Sequence, residues 1–258
     1  MSASRRFAAL DLGTARTRAL ILGGQAIADR PSVVVRRSSA AGEVDVVRPV
    51  RHGMVADPGA CVRLVRLALR DTRLYDSRPL ERVLAGVPVA ASAGDRAAVR
   101  AAVAGIAGCE VVLVEEPLAA AVGAGLDVLG GRPRLLLDVG AGIVEAVVLR
   151  DGGVSDAVSL QLSTTTGAGP TAAALESVVD MTAGLLRRLP AAARPAVRAL
   201  GLVITGGGAH HVHLLRRLRA ALRAPVTAAP EPQYAIVRGL MRLCLRPDLA
   251  GDPAPPVR

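Results

Sequence analysis

Short Val- and Leu-rich runs, punctuated by Gly and Pro, alternate along this chain with longer Ala-, Leu- and Arg-containing segments whose apolar positions recur at helical spacing. The first kind reads as buried strand and the second as amphipathic helix, so the alternation predicts an α/β fold. Residues 6–10, 17–22 and 32–37 read as three strands joined by short turns. A helix is expected over 58–70, with Val62, Val65 and Leu69 on one face. A strand at 83–87 closed by Pro88, an Ala-rich helix at 95–107 and a strand at 110–114 come next. The helix at 117–123 then carries Pro in its first turn. After Gly130-Gly131 the order begins again: strands at 134–138, 143–149 and 154–160, helix 171–188, strand 201–205, helix 209–222. A closing helix covers 233–243, and 247–258, with Pro253, Pro255 and Pro256, reads as a disordered tail.

The chain nearly repeats itself. Leu10-Asp11-Leu12-Gly13-Thr14-Ala15-Arg16-Thr17 and the five residues after it align without gaps on Leu137-Asp138-Val139-Gly140-Ala141-Gly142-Ile143-Val144 and its continuation. Each copy reads as strand, Asp, Gly-containing turn and second strand. Gly in such a turn frees the backbone and lets an anion approach its N–H groups. An Asp at the strand end can hold a hydrated divalent cation against that anion. The plainer alternative is a pair of ordinary tight hairpins between buried strands. A third turn, Thr205-Gly206-Gly207-Gly208, links an apolar strand to a basic helix, where a phosphate or ribose can lie on the backbone. It is neither a Rossmann fingerprint nor a P-loop: Gly-x-Gly-x-x-Gly is absent, and no Lys follows it.

Composition narrows the picture. The chain has 258 residues and is 51% hydrophobic but only 1% aromatic, so its core must be Ala, Val, Leu and Ile packing. The formal charge is +10, carried by Arg with no Lys. The shortage of aromatics for base stacking argues against specific nucleic-acid binding, and Arg63, Arg66 and Arg70 read as a solvated helix face. Cys61, Cys109 and Cys244 are too dispersed for a disulfide framework or zinc site. No signal peptide or membrane-length apolar run is evident, which predicts a cytoplasmic protein.

The order Asp11-Leu12-Gly13-Thr14, Asp138-Val139-Gly140-Ala141-Gly142 and Thr205-Gly206-Gly207-Gly208 resembles the phosphate-1, phosphate-2 and adenosine motifs of the actin and sugar-kinase superfamily. Further stretches are similar to its bacterial actins of the MreB family: Arg30-Pro31-Ser32-Val33-Val34, Arg48-Pro49-Val50-Arg51-His52-Gly53-Met54, and Val114-Glu115-Glu116-Pro117-Leu118-Ala119-Ala120-Ala121. The resemblance implies an actin-like ATPase fold of two ribonuclease-H-like αβ halves with mixed sheets. The first half is expected at 1–132 plus 230–246 and the second at 133–229. It also implies ATP or ADP with Mg²⁺ as cofactors. Asp11 and Asp138 would orient the ion through its waters. Gly13, Thr14, Ala15, Gly140, Ala141 and Gly142 would cradle the phosphates, and Gly206, Gly207 and Gly208 would meet the ribose or adenine. Glu116 would polarise the attacking water, leaving Glu115 as a surface or capping acid.

The departures matter too. Only a short connector is expected between Ser39 and Val47, and almost nothing between Leu160 and Thr171, where the family carries its small subdomains. Ile143 stands where the family has a Thr that positions water. The resemblance therefore implies an MreB-like bacterial cytoskeletal protein of cell shape or cell-wall morphogenesis, with weak or no ATP hydrolysis. The alternative is a degenerate actin-like module that binds a partner, or the filaments of a full-length relative, without turnover. Envelope-associated morphogenetic proteins are candidate partners; Arg216, Arg217, Arg219 and Arg223 read most simply as a solvated helix face and Leu74-Tyr75 as a packed turn, with peripheral contact with the inner membrane face as the alternative for each. His210, His211 and His213 read as solvated or dipole-related positions rather than a metal site, and Thr164–Thr166 as a polar loop.

Overall fold

A computed structural model describes residues 6–24, 26–37, 44–72, 79–162 and 171–250. The first half begins with β1 (Phe7–Leu12), β2 (Arg16–Ile21) and β3 (Ala28–Pro31). A side hairpin, β4 (Val34–Arg37) with β5 (Val44–Val47), and a short one, β6 (Val50–Arg51) with β7 (Met54–Val55), lead into α1 (Pro58–Asp71). Then come β8 (Arg82–Val87), α2 (Ala93–Ala107), β9 (Glu110–Glu115) and α3 (Glu116–Gly123). The second half holds β10 (Arg134–Val139), β11 (Ile143–Arg150), β12 (Gly153–Gln161), α4 (Ala172–Arg188), α5 (Arg194–Leu200), β13 (Leu202–Thr205), α6 (Val212–Leu222) and β14 (Val226–Ala228). A 3-10 turn at Pro232–Tyr234 opens α7 (Ala235–Leu245).

The two principal sheets have the same topology. Their strand orders are β3-β2-β1-β8-β9 and β12-β11-β10-β13-β14. In each, an antiparallel meander is extended by two parallel strands reached through helical crossovers. The local signals are well formed. Asp57 caps α1 by accepting from the Ala60 N–H, with Pro58 in the first turn. Ser92 and Asp95 make a reciprocal capping box at α2, which ends on Gly108 at φ 62°.

Alternation along the central strands sorts their side chains between two faces. On β1, Ala8, Leu10 and Leu12 pack outward against Leu64 and Val65 of α1 and Val99 and Val103 of α2. Phe7 and Ala9 face inward, and Asp11 continues that inward row. On β10, Leu135, Leu137 and Val139 pack against α4 and α6, while Leu136 faces inward and Asp138 follows it. The inner faces of both sheets meet one shared core built on α3 and α7.

Those two helices cross backbone to backbone. A Cβ on Gly123 would collide with the Ala235 carbonyl and sit 2.9 Å from Gly239 N. A Cβ on Gly239 would collide with the Ala119 carbonyl. Arg242 of α7 then donates to the carbonyls of Val122 (2.6 Å) and Gly123 (3.0 Å), closing the C-terminal end of α3.

Several expectations need correction. The third strand of the first sheet is β3, not 32–37: beyond Pro31 the chain leaves the sheet, and Val34–Arg37 pairs instead with Val44–Val47. The stretch expected as a bare connector between Ser39 and Val47 therefore contains strand β5. On α1 the buried row is Ala60, Cys61, Leu64, Val65 and Ala68, whereas Val62 and Leu69 are only half-buried. Neither α5 nor β14 was expected, since seven and three residues are too short to display a period. At the C-terminal end, Pro247–Leu249 forms a 3-10 turn beside α7, in place of a tail starting at 247. Leu74-Tyr75, Thr164–Thr166 and residues 251–258 lie outside the described residues.

Gly239→Val should destabilise the protein by at least the roughly 1–3 kcal/mol typical of overpacking, because its obstacle is backbone. Gly105→Ala is the control: it lies within α2 with nothing within 4 Å of the added Cβ. That substitution should stabilise by about 0.5–1 kcal/mol. Denaturant unfolding of both variants checks the pair, and a well-tolerated Gly239→Val would show that α3 and α7 do not need this close crossing.

Candidate functional site

The two Asp-Gly hairpins end at one cavity of about 160 Å³. Its lining includes Asp11, Gly13, Thr14 and Ala15 from the first hairpin, and Asp138, Gly140, Ala141 and Gly142 from the second. Gly206, Gly207 and Glu116 complete the set of sequence candidates present there. Gly208 is the exception and lies behind the wall. Its N–H donates to the Val139 carbonyl at 3.0 Å, and a side chain there would strike Val139, so it is a packing glycine.

The hairpins match in detail. A Cβ on Gly13 would lie 2.7 Å from the Arg16 carbonyl oxygen, and one on Gly140 would lie 2.7 Å from that of Ile143. Both turns thus need glycine for the same close approach. The hairpins also touch each other. A side chain at Gly142 would run into Thr14, whose hydroxyl accepts from the Gly53 N–H at 3.0 Å. His52, beside Gly53 in the β6–β7 turn, places Nδ1 2.7 Å from the Gly142 carbonyl oxygen.

Three buried carboxylates converge here. Asp11 is pushed up to about 6 by burial, a rise opposed by the Arg18 guanidinium and aided by the charge of Asp138. Glu116 is raised well above the ordinary range by burial and by the charges of Asp11, Glu145 and Asp138. Its Oε1 is buried without a hydrogen-bond partner. Gly86 makes room for it, since a Cβ there would lie 3.0 Å from Glu116 Cγ. Asp138 is raised by burial, against a 2.7 Å hydrogen bond donated by the Thr205 hydroxyl. Glu115 instead faces outward and pairs with Arg96 at 3.5 Å.

Sequence alone does not single out Arg18, Thr205, Gly53 or Gln233. Arg18 is the most consequential. It stands directly opposite Asp11 across the β1–β2 ladder and opposite Asp29 across β2–β3. Its Nη1 is 3.3 Å from Asp11 Oδ2 and its Nε 3.5 Å from Asp29 Oδ2. The signal that could have found it is register: in a tight Asp-Gly hairpin, the residue seven beyond the Asp returns beside it. At the repeat-equivalent position stands Glu145, opposite Asp138. Glu145 accepts from the Ser159 hydroxyl (2.8 Å) and the N–H groups of Val89 and Ala90 (3.2 and 3.3 Å), tying the loop after β8 to the second sheet.

The profile of the MreB/Mbl protein family matches residues 5–167. The chain belongs to that family. The cell shape-determining protein MreB of Escherichia coli (strain K12) is 31% identical over 175 residues, which cover 59% of this chain and 50% of that protein. The Bacillus subtilis cell shape-determining protein Mbl is 22% identical over 171 residues. The chain spans about half the length of the curated relatives it matches. Among solved structures, MreB 5 of Spiroplasma citri bound to AMPPNP superposes with a TM-score of 0.79 at 17% identity, covering 96% of this chain and 98% of that one. The MamK double helical filament gives 0.76 at 18% identity, covering 94% and 99%. The fold is therefore actin-like, with two mixed sheets.

The residues fit a polyphosphate better than a divalent ion. Two glycine turns border the cavity with Glu116 and Ile236 in the first turns of α3 and α7 and Gln233 in the 3-10 turn before α7, and helix N-termini favour anions. Among the described residues no direct ligand set for the expected Mg²⁺ is formed. The Asp11 carboxylate already holds a guanidinium and Asp138 Oδ1 is engaged by Thr205, so neither is free to take an ion directly. The histidines of 210–213 belong to no such ligand set; His211 instead caps α6 by accepting from the Leu214 N–H at 3.4 Å.

The raised pKa of Asp11 sets a pH dependence. Between 3.8 and about 6, the folded state keeps a proton that the unfolded chain releases. This contribution to stability is therefore greatest in acid, falls as pH rises through that window and is level above it. Asp11→Asn should remove it. Relative to wild type, the variant's stability should rise as pH increases from about 4 to about 6 and then plateau. Thermal unfolding across that range checks it, and a flat difference would mean that the site does not perturb Asp11.

Proposed function

We propose that this chain is an actin-like nucleotide-binding protein of the bacterial cell-shape or cell-wall machinery, with ATP or ADP held between the turns at 13–15 and 140–142. The observation that carries this reading is the convergence of two geometrically matched glycine turns, with Gly206 and Gly207, on a single cavity. The Spiroplasma citri relative bound to AMPPNP and ADP lends support, as do the names of the curated relatives. In this reading the N–H groups near Gly13, Thr14, Ala15, Ala141 and Gly142 take the phosphates, with Gly206 and Gly207 at the ribose end. Gly140 and Gly206 contribute shape rather than donors, since their N–H groups are given to Ile143 and Pro232. The working halves are 1–132 with 230–246, and 133–229.

Hydrolysis is weak or absent in this proposal. Glu116 is the carboxylate placed to polarise water, but burial and its neighbours favour its protonated form, which cannot take a proton. Buried Ile143 offers no hydroxyl to hold that water. The site of action is the cytoplasm at the inner membrane face, beside filaments of full-length relatives or envelope-associated proteins. No helix among the described residues is long and apolar enough to cross a membrane, and the exposed Arg216, Arg219 and Arg223 of the α6 region offer a peripheral basic face.

One observation favours the second reading, an interaction module without nucleotide turnover. The cavity is smaller than the roughly 300–1,000 Å³ usual for small-molecule sites, and the Thr14–Gly142 contact must open for a triphosphate to enter. Calorimetric titration with ATP and ADP separates the two: saturable binding supports the first, and none at millimolar nucleotide with a folded protein supports the second. Gly142→Val, which drives a side chain into Thr14, should weaken nucleotide binding more than about tenfold. Ile143→Thr should raise phosphate release above the wild-type rate while Glu116 is present, and lose that gain in the Glu116→Gln background. Robust wild-type hydrolysis would refute the slow-turnover reading.

A further inference from the structure

Arg18 stands within the cavity as a cation built into the sheet. Its backbone is paired to Asp11 on one side and Asp29 on the other, and its guanidinium lies 5.6 Å from the centroid of the Tyr234 ring. The side chain is only 12% exposed. The repeat-equivalent residue in the second sheet, Glu145, is an acid, so the two ladders carry opposite charge at this rung. The effect on the cavity is direct. Asp11, Glu116 and Asp138 line it, and a nucleotide's phosphates would add further negative charge to a poorly hydrated space. Something positive must stand between carboxylates and phosphates. A guanidinium is permanently charged and forked, so it can hold a carboxylate with one edge and a phosphate with another. Asp11 takes Nη1 and Asp29 Oδ2 faces Nε at 3.5 Å, which leaves Nη2 as the edge of the fork for a phosphate.

We infer that Arg18 is the resident counter-ion of the phosphate site, and that the chain binds nucleoside di- and triphosphates without a divalent metal. The inference rests on the nucleotide reading above and adds to it the ion requirement and the residue that sets it. The other cation lining the cavity, Arg16, does not compete for this role: it is 43% exposed and pairs with Asp29 at 2.6 Å. Arg18 is held inside by the ladder, Asp29 and Tyr234. Its charge therefore reaches Asp11 with little screening by water.

The test is ADP titration of the full chain in Mg²⁺ and in EDTA, with Mn²⁺ binding to the nucleotide-free protein followed by electron paramagnetic resonance. Wild-type affinity should differ less than about threefold between the two buffers. Arg18→Leu, shown folded by circular dichroism, should lose more than about tenfold in EDTA and recover with Mg²⁺, whereas Arg18→Lys should retain most of the EDTA binding. The vacated carboxylates should also give Arg18→Leu a Mn²⁺ site that the wild type lacks. If Arg18→Leu does not fold, Arg18→Gln serves in its place. Wild-type binding that collapses in EDTA, or an Arg18 variant indifferent to EDTA, overturns the inference while leaving the nucleotide reading intact. Absence of ADP binding in either buffer overturns both.

Discussion

The close crossing of α3 and α7 is the contact on which the rest of the architecture depends. Gly123 and Gly239 bring the two helix backbones together, and the pair fills the space between the inner faces of both sheets. Larger residues there would push the sheets apart and separate the two Asp-bearing strand ends. The same helices start at the cavity: Glu116 stands in the first turn of α3, while Gln233 and Ile236 flank the start of α7. One packing solution therefore sets the distance between the halves and points two helix N-termini at the site. A core with almost no aromatics suits it, because Ala, Val and Leu allow helices and sheets to approach closely.

The site built on this frame is electrostatically expensive. Asp11, Glu116 and Asp138 are all buried, and each carboxyl is raised by that burial. Such groups destabilise the fold at neutral pH unless a counter-charge or ligand offsets them, which is the usual signature of a functional site. Thr205 steadies Asp138 and Arg18 steadies Asp11, whereas Glu116 has no comparable partner. The three carboxylates are thus unequally supported, and Glu116 is the one left with an unpartnered oxygen.

The two halves share topology and hairpin geometry but have diverged in how they use one rung of the ladder. Opposite Asp11 stands Arg18, a cation that lines the cavity. Opposite Asp138 stands Glu145, which turns away to bind the backbone of the loop after β8 and so couples the halves.

Much of this molecule was legible in the sequence because the deciding forces are local. The strand–Asp–Gly–strand hairpins, the caps at Asp57 and Ser92 and the repeat at Leu10 and Leu137 depend on residues a few positions apart, where turn chemistry and alternation act directly. The same locality limits what can be read. Three-residue β14 and seven-residue α5 are too short to show a period, and the exit of the chain from the first sheet after Pro31 depends on a strand partner at 44–47. The assembly of Asp11, Glu116, Asp138 and Gly206 around one cavity, the retreat of Gly208 behind Val139 and the burial of Arg18 against Tyr234 were decided by tertiary structure alone. Side-chain burial and charge proximity depend on which distant segments pack together, and that follows from the fit of α3 against α7, not from any single stretch of the chain.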